Sequence, residues 1–175
     1  QGLRQVTRIP GRLEKVRLPV FDDVDDTPHI FVDYAHTPDA LENVLRTLRP
    51  LTANRLICIF GCGGNRDKGK RLLMGKVAGQ LADVIMVTSD NPRKENPSEN
   101  MKDIEKGLRE TGAEKTGFDA LLRKKSPGPL YGVHEDRKEA LHVVCSQTEK
   151  GDVVLVAGKG HEDYQITAQG KRFFD

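Results

Sequence analysis

No stretch of the chain approaches the ~18 to 20 apolar positions needed to cross a bilayer, and residues 1–10 lack the apolar core of a signal peptide. A membrane or secreted protein is not expected, and the cytoplasm is the expected compartment. An excess of one charge is also missing. Lys and Arg number 28 against 26 Asp and Glu, and the resulting net charge of +2 gives no basic signature for nucleic acid or a membrane surface. Cysteine is scarce: Cys58, Cys62 and Cys145 are an odd number, and Cys58 sits in the apolar run Leu56-Ile57-Cys58-Ile59-Phe60, where a small buried side chain fits. Disulfides are not expected. Cys58 and Cys62 have no second pair and no His at ligand spacing, so no metal site is expected either. With no internal repeat and no low-complexity tract, function must come from local sites.

What is present is the alternation of an α/β domain. The 175 residues suffice for one domain with its own core. Short β-branched or apolar runs at 30–32, 56–60, 84–88, 130–133 and 153–156 read as strands. Helical spacing lies between them. Thr37 can cap a helix with Pro38 at its first position and Leu41, Val44, Leu45 and Leu48 on one face, ended by Pro50. A second helix is expected over 70–81 with Leu73, Val77 and Leu81 aligned, a third from Pro97 with Met101, Ile104 and Leu108, and a fourth over 137–149. Strands joined by such crossovers pair in parallel, which predicts a doubly wound, mostly parallel sheet of Rossmann-like type. Residues 164–174, with Gly170 as a turn, predict a C-terminal hairpin. Residues 1–27, with the turn Pro10-Gly11-Arg12 and an acidic run at 22–26, read as the tail of something upstream, leaving 28–175 as the domain.

The unusual residues follow the strands. Asp33-Tyr34-Ala35-His36-Thr37-Pro38 comes after the first, the glycine-rich segment 61–70 after the second, Ser89-Asp90-Asn91-Pro92-Arg93 after the third, and Gly158-Lys159-Gly160-His161-Glu162 after the last. In a parallel sheet all four fall on the carboxyl edge, where such folds bind ligands. Each cluster has a plainer reading: Asp33 as a strand end, His36 as a solvated loop residue, Asp90-Asn91-Pro92 as a turn before a helix, and His161 as a structural or rim histidine. The segment 64–70 has phosphate-loop spacing, but Arg71 replaces the hydroxyl residue that would hold magnesium, so a nucleotide-hydrolysing loop is not expected. Arg93 goes beyond a turn. A guanidinium makes paired hydrogen bonds to a carboxylate while Asp90, Asn91 and Glu162 offer oxygens to an ammonium, and Arg66 offers a second cation; together they suit the zwitterionic head of an amino acid.

These motifs, with Pro10-Gly11-Arg12 and in this order, resemble the C-terminal domain of the Mur ligase family, in its diaminopimelate-adding branch, over nearly the whole chain. The resemblance implies part of an ATP-dependent enzyme that phosphorylates a UDP-N-acetylmuramoyl-dipeptide carboxylate and joins it to an amine in peptidoglycan synthesis. It implies that Arg66, Asp90, Asn91, Pro92, Arg93, Gly158 and Glu162 hold meso-diaminopimelate. It places Arg12 and Asp33 by the nucleotide, with Tyr34 and His36 beside them. ATP and Mg2+ would be bound mainly by a central ATPase domain outside this chain, whose tail and linker would be residues 1–27, and the family's last helix would run past Asp175. No catalytic group is then expected within the chain, which would act as a lid and be inactive alone. Lysine, the alternative amino acid of the family, would leave Arg93 without a carboxylate, a penalty on the order of 3 kcal/mol or about a hundredfold in affinity. Two other readings remain: an autonomous nucleotide-binding module built on 61–70, and an interaction domain whose sheet edge holds a peptide carboxylate.

Overall fold

Leu56–Phe60 and Val84–Thr88 are buried at every position, the pattern of strands covered on both faces. A computed structural model of the chain, which describes residues 9–16, 27–123 and 126–174, shows how that cover is built. The strands are β1 (Glu14–Lys15), β2 (His29–Asp33), β3 (Leu56–Phe60), β4 (Val84–Thr88), β5 (Glu114–Lys115), β6 (Leu130–His134) and β7 (Val153–Ala157). They form one sheet in the order β1-β2-β7-β3-β4-β6-β5, with β1 antiparallel to β2 and every other pair parallel. β8 (Tyr164–Thr167) and β9 (Gly170–Phe173) make the separate antiparallel hairpin expected at the C-terminus.

Helices α1 (Pro38–Leu48), α2 (Gly69–Leu81) and α3 (Pro97–Glu110) cover one face, where Leu41, Leu45, Met74, Ala78, Ile104 and Leu108 meet Cys58, Phe60, Ile85 and Leu155. On the other face, α4 (Arg137–Ser146) sets Ala140 and Val144 against Ile57, Ile59, Met86 and Val154, with Leu121 and Leu122 beside them. The alternation along β3 and β4 thus splits the core into two layers. Thr37 caps α1 by accepting the Ala40 N–H, as expected for Thr-Pro at a helix start.

Three details differ from the sequence reading. α4 ends at Ser146, not 149, and the chain turns through Gly151 at φ +83° into β7. α2 buries Arg71, Met74, Gly75, Ala78 and Gly79, whereas Leu73 is 49% exposed. The reason is backbone proximity: a Cβ at Gly75 would collide with the Ile104 carbonyl and one at Gly107 with the Leu72 carbonyl, so small residues decide which stripe faces α3. Residues 14–15, read as part of an upstream tail, pair with β2 as an edge strand. The acidic run at 22–26 lies outside the described residues. No helix among those described is long and apolar enough to cross a membrane.

Candidate functional site

The four clusters leave the carboxyl ends of β2, β7, β3 and β4, which are consecutive neighbours in the sheet. Their loops therefore touch, and they form two adjoining corners.

At the first corner Asp33 is the hub. Its Oδ2 accepts the Leu13 N–H at 2.6 Å and its Oδ1 the Ala35 N–H at 2.7 Å. Its carbonyl accepts the N–H groups of Gly158 and Gly160. The turn at Gly11 is thereby pressed on the loop after β7, and a Cβ at Gly11, where φ is +67°, would collide with the His161 nitrogen. The Arg12 guanidinium lies 4.7 Å from the centre of the Tyr34 ring, a cation–π contact. His36 meets the edge of that ring at 4.7 Å, and His161 stacks toward it at 6.4 Å. Arg12 has no ion pair with a described residue. The outcome is a cation on a half-buried aromatic wall, braced by a carboxylate already engaged with backbone amides.

At the second corner the loop after β4 folds against the glycine-rich loop after β3. Gly64 donates to the Asn91 carbonyl at 2.9 Å, and a Cβ at Gly64 would collide with the Pro92 carbonyl. Arg93 takes φ +55°, a left-handed conformation uncommon for a residue with a side chain. Its N–H donates to the Ile166 carbonyl at 2.9 Å, and its Nη1 donates to the carbonyls of Gly64 (3.0 Å) and Asn91 (3.3 Å). The guanidinium is therefore held inward over Gly63, near which the Cγ of Arg66 also passes, with Nε and Nη2 bonded to no described residue. Arg66 itself is exposed. Asn91 Nδ2 donates to Glu162 Oε2 at 3.3 Å, and Gly158 stands at φ +108° where β7 turns toward Glu162. Asp90, Asn91, Pro92, Arg93 and Glu162 thus meet at this corner, with Arg66 at its exposed rim; Arg12, Asp33, Tyr34 and His36 meet at the other, to which Gly158 is tied through the Asp33 carbonyl.

Several residues given no role by the sequence reading hold these corners. Lys159 is only 4% exposed, and its Nζ sits 2.6 Å from the Tyr164 carbonyl, 3.2 Å from Asn91 Oδ1, 3.5 Å from Asp90 Oδ1 and 3.8 Å from Glu162 Oε2. Burial lowers its pKa, against the pull of the Asp90 carboxylate. Arg137, 2% exposed, donates from Nη2 to the Ala157 carbonyl at 2.8 Å, while its Nε and Nη1 lack partners; burial lowers its pKa and Asp90 opposes this. Gln165 Nε2 donates to the Asp90 carbonyl. Lys159 lies within a motif singled out from sequence, and its place between two glycines was the only signal of a close approach.

The glycine-rich loop turns part of its backbone inward. The N–H groups of Gly64, Asn65, Gly69 and Arg71 donate to Asn91 O, Glu95 Oε1, Asp67 Oδ1 and Lys68 O. Arg71, 1% exposed, turns inward to Glu95 (2.7 Å), Asp103 (3.2 Å) and the Gly63 carbonyl. Four amides of the segment are thus spent on the protein itself, and the position where a magnesium-binding hydroxyl would stand is a buried guanidinium; both count against an autonomous nucleotide-binding module. Cys62, behind the loop, is buried and its thiol is pushed up to about 12. Among the described residues no group of three His, Cys, Asp or Glu could hold a metal ion.

Two clefts flank this arrangement. One of about 640 Å³ shares Pro92 and Arg93 with the second corner but runs along Glu135, Arg137 and the hairpin, and neither Arg66 nor Glu162 lines it. Another of about 920 Å³ opens at the opposite edge of the sheet, where Arg49 and Arg55 are ion-paired to Asp83 and Asp152. Volume alone favours these clefts; the convergence of cations and acceptors favours the corner.

Comparison with known proteins agrees with the motifs. The family model described as "Mur ligase, glutamate ligase domain" matches residues 11–160. A UDP-N-acetylmuramoyl-L-alanyl-D-glutamate--2,6-diaminopimelate ligase from Prochlorococcus marinus (strain NATL1A) is 45% identical over 175 residues, covering 100% of this chain and 31% of that protein. The protein of the same name from Geobacter metallireducens is 46% identical over 181 residues, covering 99% of this chain and 33% of that protein. A solved structure of a protein with this name superimposes with a TM-score of 0.75 at 38% identity, over 97% of this chain and 30% of that one. The chain thus spans about 31% of the length of the first of these relatives.

Proposed function

Since the chain belongs to the Mur ligase family as its glutamate ligase domain, we propose that it is the amino-acid-binding and nucleotide-closing part of an ATP-dependent ligase. In this reading the full-length protein adds meso-diaminopimelate to UDP-N-acetylmuramoyl-L-alanyl-D-glutamate in the cytoplasm. Residues 1–27 lead in from a central ATPase domain and dock through Gly11 and β1. Residues 28–175 form the domain.

The observation that carries the reading is Arg93. Its backbone strain and the two carbonyls on Nη1 fix the guanidinium, and Nε and Nη2 remain to bind a carboxylate in parallel, next to Arg66. The Glu162 carboxylate, held by Asn91 Nδ2, and that of Asp90, whose Oδ1 is turned to Lys159, supply the negative charge for the ammonium on the same carbon. Such a site suits a side chain that ends in both charges and disfavours lysine, which ends in an ammonium alone. At the other corner, the chain's groups fit the rim of a nucleotide. Arg12, which forms no ion pair with a described residue, can meet a phosphate, and Tyr34 and His36 wall the site. Asp33 holds both in place while keeping oxygen lone pairs for a ribose hydroxyl. Its engagement with backbone amides makes it no ready ligand for Mg2+, so ATP and Mg2+ are assigned mainly to the central domain. When bound there, ATP would supply the phosphoryl group that activates the dipeptide carboxylate, and Mg2+ would offset the phosphate charge. This chain's own part is to orient the incoming amine and exclude water.

The test is phosphate release by the full-length protein with ATP, the UDP-linked dipeptide and either amino acid. Turnover with meso-diaminopimelate is expected to exceed that with L-lysine by about a hundredfold in kcat/KM, and Arg93→Ala to bring the ratio to within about tenfold. Equal use of both amino acids by the unsubstituted protein contradicts the reading.

A further inference from the structure

Lys159 presents a physical puzzle at the centre of the second corner. A lysine at 4% exposure gives up most of its hydration, a cost that is tolerated only where acceptors replace the lost water. Here they do. An ammonium carries three N–H donors, and the three nearest oxygens are the Tyr164 carbonyl, Asn91 Oδ1 and Asp90 Oδ1, with Glu162 Oε2 next at 3.8 Å. These oxygens come from three places: the loop after β4, the loop after β7 and the start of β8. No backbone hydrogen bond joins Asp90 or Asn91 directly to Glu162; apart from the Asn91 side chain, Lys159 is what they share.

The arrangement also assigns direction. Asn91 Oδ1 accepts from both Lys159 Nζ (3.2 Å) and the Ile166 N–H (2.9 Å), so the amide cannot turn over without setting its NH2 against a cation and an N–H. Its Nδ2 must then face Glu162, as observed at 3.3 Å. The Tyr164 and Phe174 rings are centred 6.0 and 5.6 Å from Nζ, within cation–π range. Arg137 is the second buried cation of the group, reaching the end of β7 through the Ala157 carbonyl. Asp90 thus faces Lys159 and lies within electrostatic reach of Arg137, and Glu162 is held by Asn91 on one side and Lys159 on the other.

We propose that Lys159 is a positioning residue for the amino-acid site: its ammonium holds Asp90, Asn91 and Glu162 in the arrangement that receives the substrate's ammonium, without touching the substrate itself. The acceptors are thus preset by an internal cation. Asn91, its oxygen spent on Lys159 and the Ile166 N–H, acts as a brace, so that an amino acid meets carboxylates of Asp90 and Glu162 that are already aimed, and less ordering is required on binding. The inference rests on the assignment of this corner to the amino acid.

The test is steady-state kinetics of the full-length protein with Lys159→Met, which keeps the length of the side chain and removes the charge. The KM for meso-diaminopimelate is expected to rise about tenfold to a hundredfold while the KM for ATP stays within about twofold. Glu162→Gln and the double substitution complete a cycle. Because Lys159 acts through its acceptors, the double variant is expected to be little worse than Lys159→Met alone. Unchanged KM for meso-diaminopimelate, an equal rise for ATP, or losses that simply add would overturn the proposal. If Lys159→Met fails to melt cooperatively, Lys159→Gln, which keeps donors for Asn91 and the Tyr164 carbonyl, takes its place under the same criteria. Failure of the amino-acid assignment looks different: the unsubstituted protein would then show no preference for meso-diaminopimelate at all.

Discussion

Gly64 lies where the glycine-rich loop presses on the receptor loop, and at that point the site depends on the absence of a side chain. Its N–H reaches the Asn91 carbonyl, its own carbonyl takes Arg93 Nη1, and a Cβ would collide with the Pro92 carbonyl. A methyl group there must move Pro92 and Arg93 together. Gly64→Ala is expected to cost about 1–3 kcal/mol of stability by overpacking and to raise the KM for meso-diaminopimelate more than that for ATP. Thermal melting and kinetics of the full-length protein check this; unaltered melting with unaltered KM would show that the two loops are not in such close contact. Arg71 makes a related point. Where a nucleotide loop would carry a hydroxyl, this chain has a buried guanidinium whose partners, Glu95 and Asp103, belong to the next loop and to α3. The resemblance in spacing to a phosphate loop thus hides a different use of the same segment.

At the scale of elements, the strands were legible because each apolar run is short, β-branched and bounded by turn residues, and α1 because Thr37, Pro38 and its leucines agree. The buried face of α2 was not. Its stripe of Arg71, Met74, Gly75, Ala78 and Gly79 is chosen by close backbone packing on α3, which an apolarity count over Leu73, Val77 and Leu81 cannot register. The same holds for Lys159 and Arg137. Their partners lie far off in sequence, and a buried cation looks like an exposed one until the oxygens around it are known. Arg71 also gives the α2–α3 pair a pH dependence. Its hydrogen bond holds the Glu95 carboxyl below its ordinary value of 4.5, and Lys106, then Arg71, hold Asp103 below 3.8. A lowered carboxylate pKa contributes stability that is complete above the ordinary value and is lost as pH falls through the folded-state value. Glu95→Gln is therefore expected to be less stable than the unsubstituted chain at about pH 6 and to lose less stability between there and about pH 3, as read from urea midpoints. Parallel curves for the two proteins would contradict this.

For the whole molecule, what the sequence made legible was a placement rule: motifs that follow consecutive strands of a parallel sheet must converge. The structure brings all four together because β7 returns between β2 and β3, a strand order that no local pattern announces. Convergence yields two corners that share the loop after β7. Gly158 and Gly160 bond to Asp33 at the first corner, while Lys159 and Glu162 reach Asp90 and Asn91 at the second. On the proposed function, closure on a nucleotide and reception of an amine would be mechanically joined through these five consecutive residues. The central claim is that the amino acid's two-charged end binds at Arg93, and a crystal structure of the full-length protein with meso-diaminopimelate tests it most directly. The account predicts density with a carboxylate against Arg93 Nε and Nη2 near Arg66 and an ammonium at Glu162; density in the neighbouring cleft along Glu135 and the hairpin, with Arg93 untouched, would contradict it.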